Sequence, residues 1–183
     1  KVILGTRARK TRTRSFNAFS SIDYPETAVF RDTRLVTFLR RPTDQPPVRF
    51  YERLEPAVFV LRLVPGMRAD IIPLLAPHYR ALVLESFGVG GLPGGEHGEM
   101  FAALRRWCES GRLAVFTTQV PHEGCDLAVY EVGRAVGELP GVLEARDMTP
   151  EAVAVKLMWA LGQTEDREKA ARLFETPIEY DIM

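Results

Sequence analysis

RALVLESFGVGGLPGG, residues 80–95, is the stretch of sequence that decides the fold. A short apolar run, Ala81 to Leu84, breaks into a glycine-rich turn, and a helical pattern follows. The order strand, glycine loop, helix is typical of open α/β sheets, whose ligands bind where the strands end. These glycines lack the GxGxxG spacing of a dinucleotide site, so the turn predicts the edge of a site and no cofactor.

Strand and helix patterns alternate on both sides of this stretch. Strands are predicted at 57–64, 81–84, 113–117 and 142–145, and helices at 67–75, 96–110, 126–136, 149–162 and 164–174. Such alternation favours parallel β/α units. We therefore expect an α/β fold, with a small doubly wound parallel sheet of about four strands flanked by helices. A strand and hairpin, the remnant of a larger α/β domain, precede it.

Composition shifts divide the chain into three parts. Residues 1–40 begin with an apolar strand pattern, Val2 to Leu4, and a basic Thr/Arg segment typical of an exposed β-hairpin. Prolines then cluster between residues 40 and 50, which predicts a linker over 41–55. Residues 56–183 form the second predicted domain. Because the chain starts within a strand pattern and without Met, we expect it to be a fragment of a longer protein.

Charge and cysteine content exclude several classes of function. The 24 basic and 24 acidic residues cancel, so no overall field attracts nucleic acid or a membrane surface. No apolar run reaches the ~20 residues needed to cross a bilayer. Cys108 and Cys125 are too few for a disulfide framework, and no Cys/His spacing suggests a metal site. A cytoplasmic protein with no metal and no cofactor is predicted.

The glycine loop supplies the first candidate site residues. In a parallel sheet the residues after the strand ends share one rim, which here would bring together residues 64–66, 85–88, 118–120 and 146–148. Ser86, Gly88 and Gly90 are the candidates for substrate binding or for an interface. We expect at least one of the two glycines to have a positive φ or to touch a neighbouring subunit. In the alternative interpretation the glycines only make tight turns. Ser86 lacks a GxSxG elbow and is not predicted to be a nucleophile.

Tyr130 is the second candidate. On a helix over 126–136, Ala128, Val132 and Val136 would share the buried face. Tyr130 would lie about 200° from Ala128 and point away from the core. It is then either an ordinary exposed tyrosine or a residue that packs on another subunit or domain.

These segments together resemble the L-asparaginase family, in particular its cytoplasmic type I branch. The matches cover nearly the whole chain in order, and the last of them fits the family pattern DMTxEAxxxKLxxxLG most specifically. They are GTRARKTRTRSFNAFSSIDYP (5–25), VLRLVPGM (60–67), LVLESFGVGGLP (82–93), TTQ (117–119), YEVG (130–133) and RDMTPEAVAVKLMWALG (146–162).

The resemblance implies an amidohydrolase of two domains that acts as a homodimer or homotetramer. Family members hydrolyse L-asparagine to aspartate and ammonia through a threonine nucleophile and need no cofactor. The catalytic threonines lie in TGGT and GTD motifs, and this sequence contains neither. It therefore resembles the C-terminal domain with the end of the N-terminal domain. The missing N-terminal asparaginase domain is the implied partner, and the chain is expected to be inactive alone. By its place in YxxG, Tyr130 would complete the active site of a neighbouring subunit.

Some type I members also carry a regulatory pocket for asparagine. The corresponding positions here hold Arg9, Glu85, Gly91 and Val120. Glu85 replaces a cation and would repel the carboxylate of the ligand. We expect this pocket to be non-functional.

The sequence is also compatible with two alternatives to an asparaginase. One is a non-catalytic α/β domain for ligand binding or assembly. The other is the asparaginase-like subunit of a tRNA-dependent amidotransferase, which would need a dedicated partner and a further N-terminal domain.

Overall fold

A parallel sheet lies between two layers of helices, and two small hairpins precede it in the chain. The computed structural model describes residues 1–40, 47–94 and 98–183. The elements in chain order are β1 (Ala8–Lys10), β2 (Phe19–Ser21), β3 (Ala28–Arg31), β4 (Arg34–Thr37), β5 (Val58–Arg62), α1 (Ile71–Leu75), β6 (Ala81–Ser86), α2 (Glu99–Glu109), β7 (Leu113–Thr118), α3 (Glu131–Gly137), β8 (Val142–Glu144), α4 (Pro150–Gln163) and α5 (Arg167–Glu175).

The central sheet has four parallel strands in the order β5-β6-β7-β8. Ala81 of β6 pairs with Val58 on one side and Leu113 on the other. Almost every residue of β6 and β7 is buried, as continuous apolar runs predict for strands covered on both faces. The predicted α/β fold with about four parallel strands is confirmed.

Helices cover both faces of this sheet, but they reach the two faces by different routes. Leu84 and Phe116 pack with residues of α1, α2 and α3, whereas Val83 and Val115 pack with α4 and α5. The strand order is sequential, so the usual right-handed crossover returns each connecting helix to the same face. The second face is covered by the two helices that follow β8. The order of these four strands therefore creates no switch-point crevice, and any site at their ends is built by loops.

Several predicted helices start later than expected. The helix predicted over 67–75 is restricted to α1. A turn precedes it, in which Gly66 has φ +77 and Met67 N donates a hydrogen bond to Val64 O. The predicted start of the 96–110 helix lies outside the described residues. α4 begins as predicted at Thr149-Pro150, where Thr149 Oγ1 accepts a hydrogen bond from Ala152 N at 3.3 Å.

The amino-terminal segment forms the predicted exposed hairpin, β1 with β2, and a second hairpin, β3 with β4. The strand predicted over Val2 to Leu4 is wrong, since Val2 makes a single bridge to Ala28 and Leu4 turns into the core. Of the predicted linker 41–55, residues 41–46 lie outside the described part of the chain. Residues 47–55 have no regular secondary structure. The division into domains stays a prediction.

Arg7 ties this segment to the rest of the protein. Its side chain is fully buried and forms an ion pair with Asp147 at 2.9 Å. Its Nε also donates to the carbonyl of Tyr180 at 2.6 Å, so one guanidinium joins the hairpins, the start of α4 and the C-terminal tail. A buried arginine needs such partners because an unpaired buried charge is costly.

Candidate functional site

The loops that follow β6 and β7 lie side by side at the carboxyl end of the sheet. The first is a tight turn in which Gly91 N donates to Phe87 O at 2.8 Å. The second spans 119–130, and its Asp126 N donates to Val89 O of the first loop at 3.1 Å. The structure therefore brings the predicted rim residues into one edge.

Ser86 takes part in this edge through the sheet. Its side chain is fully buried, and its hydroxyl donates to the carbonyl of Thr117 at 2.8 Å. The hydroxyl links the ends of β6 and β7 and does not face solvent. Ser86 would therefore contribute to a site only indirectly, by fixing the position of the loop that follows it.

The two glycines of the turn adopt backbone conformations that favour glycine. Gly88 has φ +50 and Gly90 has φ +146, so the expected positive φ is confirmed at both positions. A Cβ on Gly90 would lie 2.7 Å from Leu127 Cδ2, whereas a Cβ on Gly88 would meet nothing within 4 Å. Gly90 thus lets the second loop approach the first.

Leu127 is held on three sides. Its side chain is buried and lies against Gly90. Its backbone N–H donates to Glu144 Oε1 at 2.8 Å. Its carbonyl oxygen would be 2.5 Å from a Cβ on Gly133, so the glycine of the YEVG segment is needed for this close approach.

Tyr130 is exposed, but not for the reason predicted from helix geometry. The predicted helix 126–136 is wrong at its start: α3 begins at Glu131, and Tyr130 is its N-cap with extended φ −110 and ψ 152. The extended backbone of Tyr130 prevents a continuous helix from residue 126, and the residues before it form a turn in which Val129 N donates to Asp126 O at 3.4 Å. The Tyr130 side chain remains 56% exposed at the end of an anchored loop.

The four positions of the expected regulatory pocket are placed as follows. Glu85 faces Arg62 at 3.4 Å, and Arg9 faces Glu151 at 3.7 Å, so both charged side chains have ion-pair partners. Gly91 bridges to Phe87 within the turn, and Val120 is exposed. The expectation that this pocket is non-functional stays a prediction.

Two side chains have an anchoring role that the sequence does not predict. Gln119 of the TTQ segment donates through Nε2 to Leu63 O at 2.6 Å and to Glu85 O at 2.8 Å, joining the ends of β5, β6 and β7. Asp23 accepts from Glu123 N at 3.1 Å and lies 2.9 Å from His122 Nδ1. The TTQ match could have singled out Gln119. No spacing in the sequence relates Asp23 to a loop about one hundred residues away.

The titratable groups at this edge do not form a nucleophilic centre of their own. Burial raises the pKa of Cys125 to about 12, so this thiol stays protonated near neutral pH. Cys108 lies at the end of α2, away from this edge, and burial raises its pKa to about 11. Burial also raises the pKa of Glu144. Across the described ranges, no group of His, Cys, Asp and Glu could hold a metal ion. Within the same ranges no helix is long and apolar enough to span a membrane.

Comparison with known families agrees with this architecture. The Glutaminase/Asparaginase C-terminal domain family matches residues 57–174, which include the sheet, both loops and Tyr130. The chain belongs to this family. The resemblance to the L-asparaginases is thereby confirmed, and the match starts next to the predicted boundary at residue 56.

Relatives of this asparaginase C-terminal domain extend the match to the amino-terminal segment. An L-asparaginase of Thermococcus kodakarensis is 38% identical over 183 residues, which are 100% of this chain and 55% of the relative. The solved structure of the thermostable L-asparaginase from Thermococcus kodakarensis has a TM-score of 0.91 at 35% identity and covers 99% of this chain and 54% of that chain.

Two further relatives show the spread of the family. L-asparaginase I of Vibrio cholerae has a TM-score of 0.84 at 26% identity, covering 99% of this chain and 55% of that chain. A subunit of the glutamyl-tRNA(Gln) amidotransferase of Metallosphaera sedula is 35% identical over 178 residues, 94% of this chain and 39% of the relative. The chain thus spans about half or less of the length of these proteins.

Proposed function

We propose that this chain is the C-terminal part of an L-asparaginase and that it completes the active site of a neighbouring subunit. The whole enzyme would hydrolyse L-asparagine to aspartate and ammonia in the cytoplasm without a cofactor. The identity of 38% over the full chain with an L-asparaginase supports the reaction. The catalytic threonines would come from the N-terminal asparaginase domain, since the chain has neither TGGT nor GTD.

The observation that carries the proposal is the exposed Tyr130 on an anchored loop. A large aromatic side chain is 56% exposed here, although the loop beneath it is fixed by backbone and side-chain hydrogen bonds. Such a residue is well placed to enter a site formed by another subunit. Its hydroxyl can donate or accept a hydrogen bond, and it would hold the threonine hydroxyl of the neighbour or relay its proton.

The glycine loop would form part of the same interface. Gly90 lets the backbone of the first loop approach the second, Gly88 supplies the positive φ of the turn, and Ser86 fixes the strand end from which the loop leaves. The assembly would be a homodimer or homotetramer, because a tyrosine that serves a neighbour requires at least two subunits.

Mixed subunits of the full-length enzyme test the proposal. One variant carries Tyr130→Phe, and the other lacks the threonine nucleophile. If Tyr130 acts on the neighbour, each hybrid dimer has one site with both defects and one intact site, so activity returns on mixing. If Tyr130 acts within its own subunit, both hybrid sites are damaged and no activity returns, which would overturn the proposal.

A second candidate function is the asparaginase-like subunit of a tRNA-dependent amidotransferase. The 35% identity over 178 residues to a subunit of a glutamyl-tRNA(Gln) amidotransferase favours it. The two functions differ in what happens to the ammonia.

An asparaginase would release ammonia into solution without a partner protein. An amidotransferase subunit would pass the ammonia to a misacylated tRNA, and only with its partner protein present. A purified full-length protein that turns over only with tRNA and a second protein would favour the amidotransferase. Failure of both assays would favour a non-catalytic domain.

A further inference from the structure

We propose that Glu144 is a positioning residue for Tyr130 and acts on it through the backbone of Leu127. The inference rests on the proposed function for the role of Tyr130 in catalysis. The anchoring of the loop by Glu144 is a separate claim that can be tested on this chain by itself.

Glu144 is placed to act as a fixed point. It is the last residue of β8, and its neighbour in register on β7 is the buried Phe116. Its Oε1 accepts the backbone N–H of Leu127 at 2.8 Å. The rigid end of the sheet is therefore joined directly to the loop, three residues before Tyr130.

Beyond Leu127 the loop has mostly local support. The hydrogen bonds of Ala128 N and Val129 N go to Asp126 of the same loop, at 2.9 Å and 3.4 Å. Both residues and Tyr130 are exposed. The next turn of backbone, starting at Tyr130, is set by Gly133 lying against the Leu127 carbonyl. Leu127 therefore fixes the backbone on both sides of Tyr130, through the loop that precedes it and through Gly133 in the turn that follows it.

The charges around Glu144 are of both signs. Asp126 disfavours the ionised carboxylate, and Arg146 favours it. The hydrogen bond needs an acceptor oxygen at this place, which the carboxylate, the carboxylic acid and an amide all supply. Glu144→Gln therefore keeps the anchor, whereas Glu144→Ala removes it. Glu138→Ala is the matched control, because Glu138 is an exposed residue just after α3.

Amide hydrogen exchange on the 183-residue chain tests the anchor. In Glu144→Ala the Leu127 amide should exchange ~10-fold faster, the factor for the loss of one ordinary hydrogen bond. Glu144→Gln and Glu138→Ala should leave its exchange near the wild-type rate. Unchanged protection of Leu127 in Glu144→Ala would overturn the inference, whatever the enzyme does.

Kinetics of the full-length enzyme test the route through Tyr130. Glu144→Ala should lower kcat ~10-fold with little change in KM, and Glu144→Gln should restore it. In a Tyr130→Phe background Glu144→Ala should cost little more, because the two residues act in one chain of contacts. A further ~10-fold loss of kcat in the Tyr130→Phe background would show that Glu144 does not act through Tyr130. Normal activity of Tyr130→Phe alone would instead overturn the proposed function and leave the exchange result standing.

If Glu144→Ala fails to fold, Gly133→Ala displaces Leu127 from the opposite side. Its Cβ would lie 2.5 Å from the Leu127 carbonyl oxygen, a backbone atom that cannot swing away. We expect faster exchange in the 127–131 segment and a lower kcat. Wild-type values for both measurements would overturn the inference.

Discussion

The catalytic contribution proposed for this chain comes from a single group, the hydroxyl of Tyr130. Tyr130→Phe in the full-length enzyme should lower kcat by about 10²-fold, the lower range for a positioned proton-transfer group. The fold should survive because the side chain is 56% exposed. Steady-state kinetics and thermal unfolding on the same samples measure both effects.

Tyr51 provides the matched control for this substitution. It is 53% exposed and packs against Trp159, away from the two loops. Tyr51→Phe also removes one exposed phenolic hydroxyl and should retain wild-type kcat. Equal losses in the two variants would argue against a specific role for Tyr130.

Glu144 should give the protein a characteristic dependence of stability on pH. Burial is the largest cause that raises the pKa of Glu144 above its ordinary value of 4.5. A carboxyl whose pKa is higher in the folded state binds its proton more tightly there. Its stabilising contribution is therefore present at low pH and is lost as the pH rises above 4.5 through the folded-state pKa.

Glu144→Gln should remove this loss and keep the hydrogen bond to Leu127. The variant should gain free energy of unfolding relative to the wild type as the pH rises from about 4 to 7. Urea unfolding of both proteins across this range measures the difference, since all other titrating groups are shared. A difference that is constant with pH, or of the opposite sign, contradicts the assignment.

At the scale of elements, the turn between β6 and α2 depends on glycine for its backbone shape. Gly88→Ala should lower the free energy of unfolding by ~1–2 kcal/mol, the cost of a left-handed conformation in a residue with a Cβ. Gly90→Ala should cost ~1–3 kcal/mol, because φ +146 is a region that glycine alone occupies readily. Its contact with Leu127 Cδ2 adds less, since that methyl group can move.

Gly5→Ala is the control for the glycine turn. A Cβ on Gly5 would meet nothing within 4 Å, and Gly5 is not among the residues with a positive φ. It should be neutral or slightly stabilising, because alanine restricts the unfolded chain more than glycine does. Urea unfolding should show the largest loss of free energy of unfolding for Gly90→Ala, a smaller loss for Gly88→Ala and the smallest for Gly5→Ala. Silent changes at Gly88 and Gly90 would mean that the turn tolerates other conformations.

The elements also show where local sequence patterns succeed. α4 starts at Thr149-Pro150 as predicted, since its N-cap and first-turn signals are contained in adjacent residues. α3 does not start as predicted, because residues 126–129 form a turn and the backbone of Tyr130 is extended, with φ −110 and ψ 152. Helix periodicity does not reveal such an interruption of the backbone. Tyr130 is nevertheless exposed, because it lies at the end of an anchored loop.

For the whole molecule, the expected result is that the purified chain has no asparaginase activity. Residues 1–183 contain neither TGGT nor GTD, so the proposed nucleophile is absent. Ammonia release from L-asparagine, coupled to NADH oxidation, should stay at the level of a buffer blank. Addition of the N-terminal asparaginase domain as a separate polypeptide should produce activity that depends on Tyr130.

Contamination by a host asparaginase is the main alternative source of a signal. A Tyr130→Phe chain purified in parallel is the control, because a contaminant would be unaffected by it. Turnover by the isolated wild-type chain that survives repeated purification and is lost in Tyr130→Phe would refute the assignment of the nucleophile to the proposed N-terminal domain.

The sequence by itself determined the α/β class, the four strands of the central sheet and the family resemblance, because apolar runs, glycine turns and caps are local signals. It also singled out Gly88, Gly90 and Tyr130. The tertiary structure alone decided the sequential strand order and the late start of α3. It also decided the contacts of Glu144 with Leu127, Asp23 with Glu123 and Arg7 with Asp147. Each contact joins residues far apart along the chain. Only the folded chain, in which most buried donors and charges find a partner, brings them together.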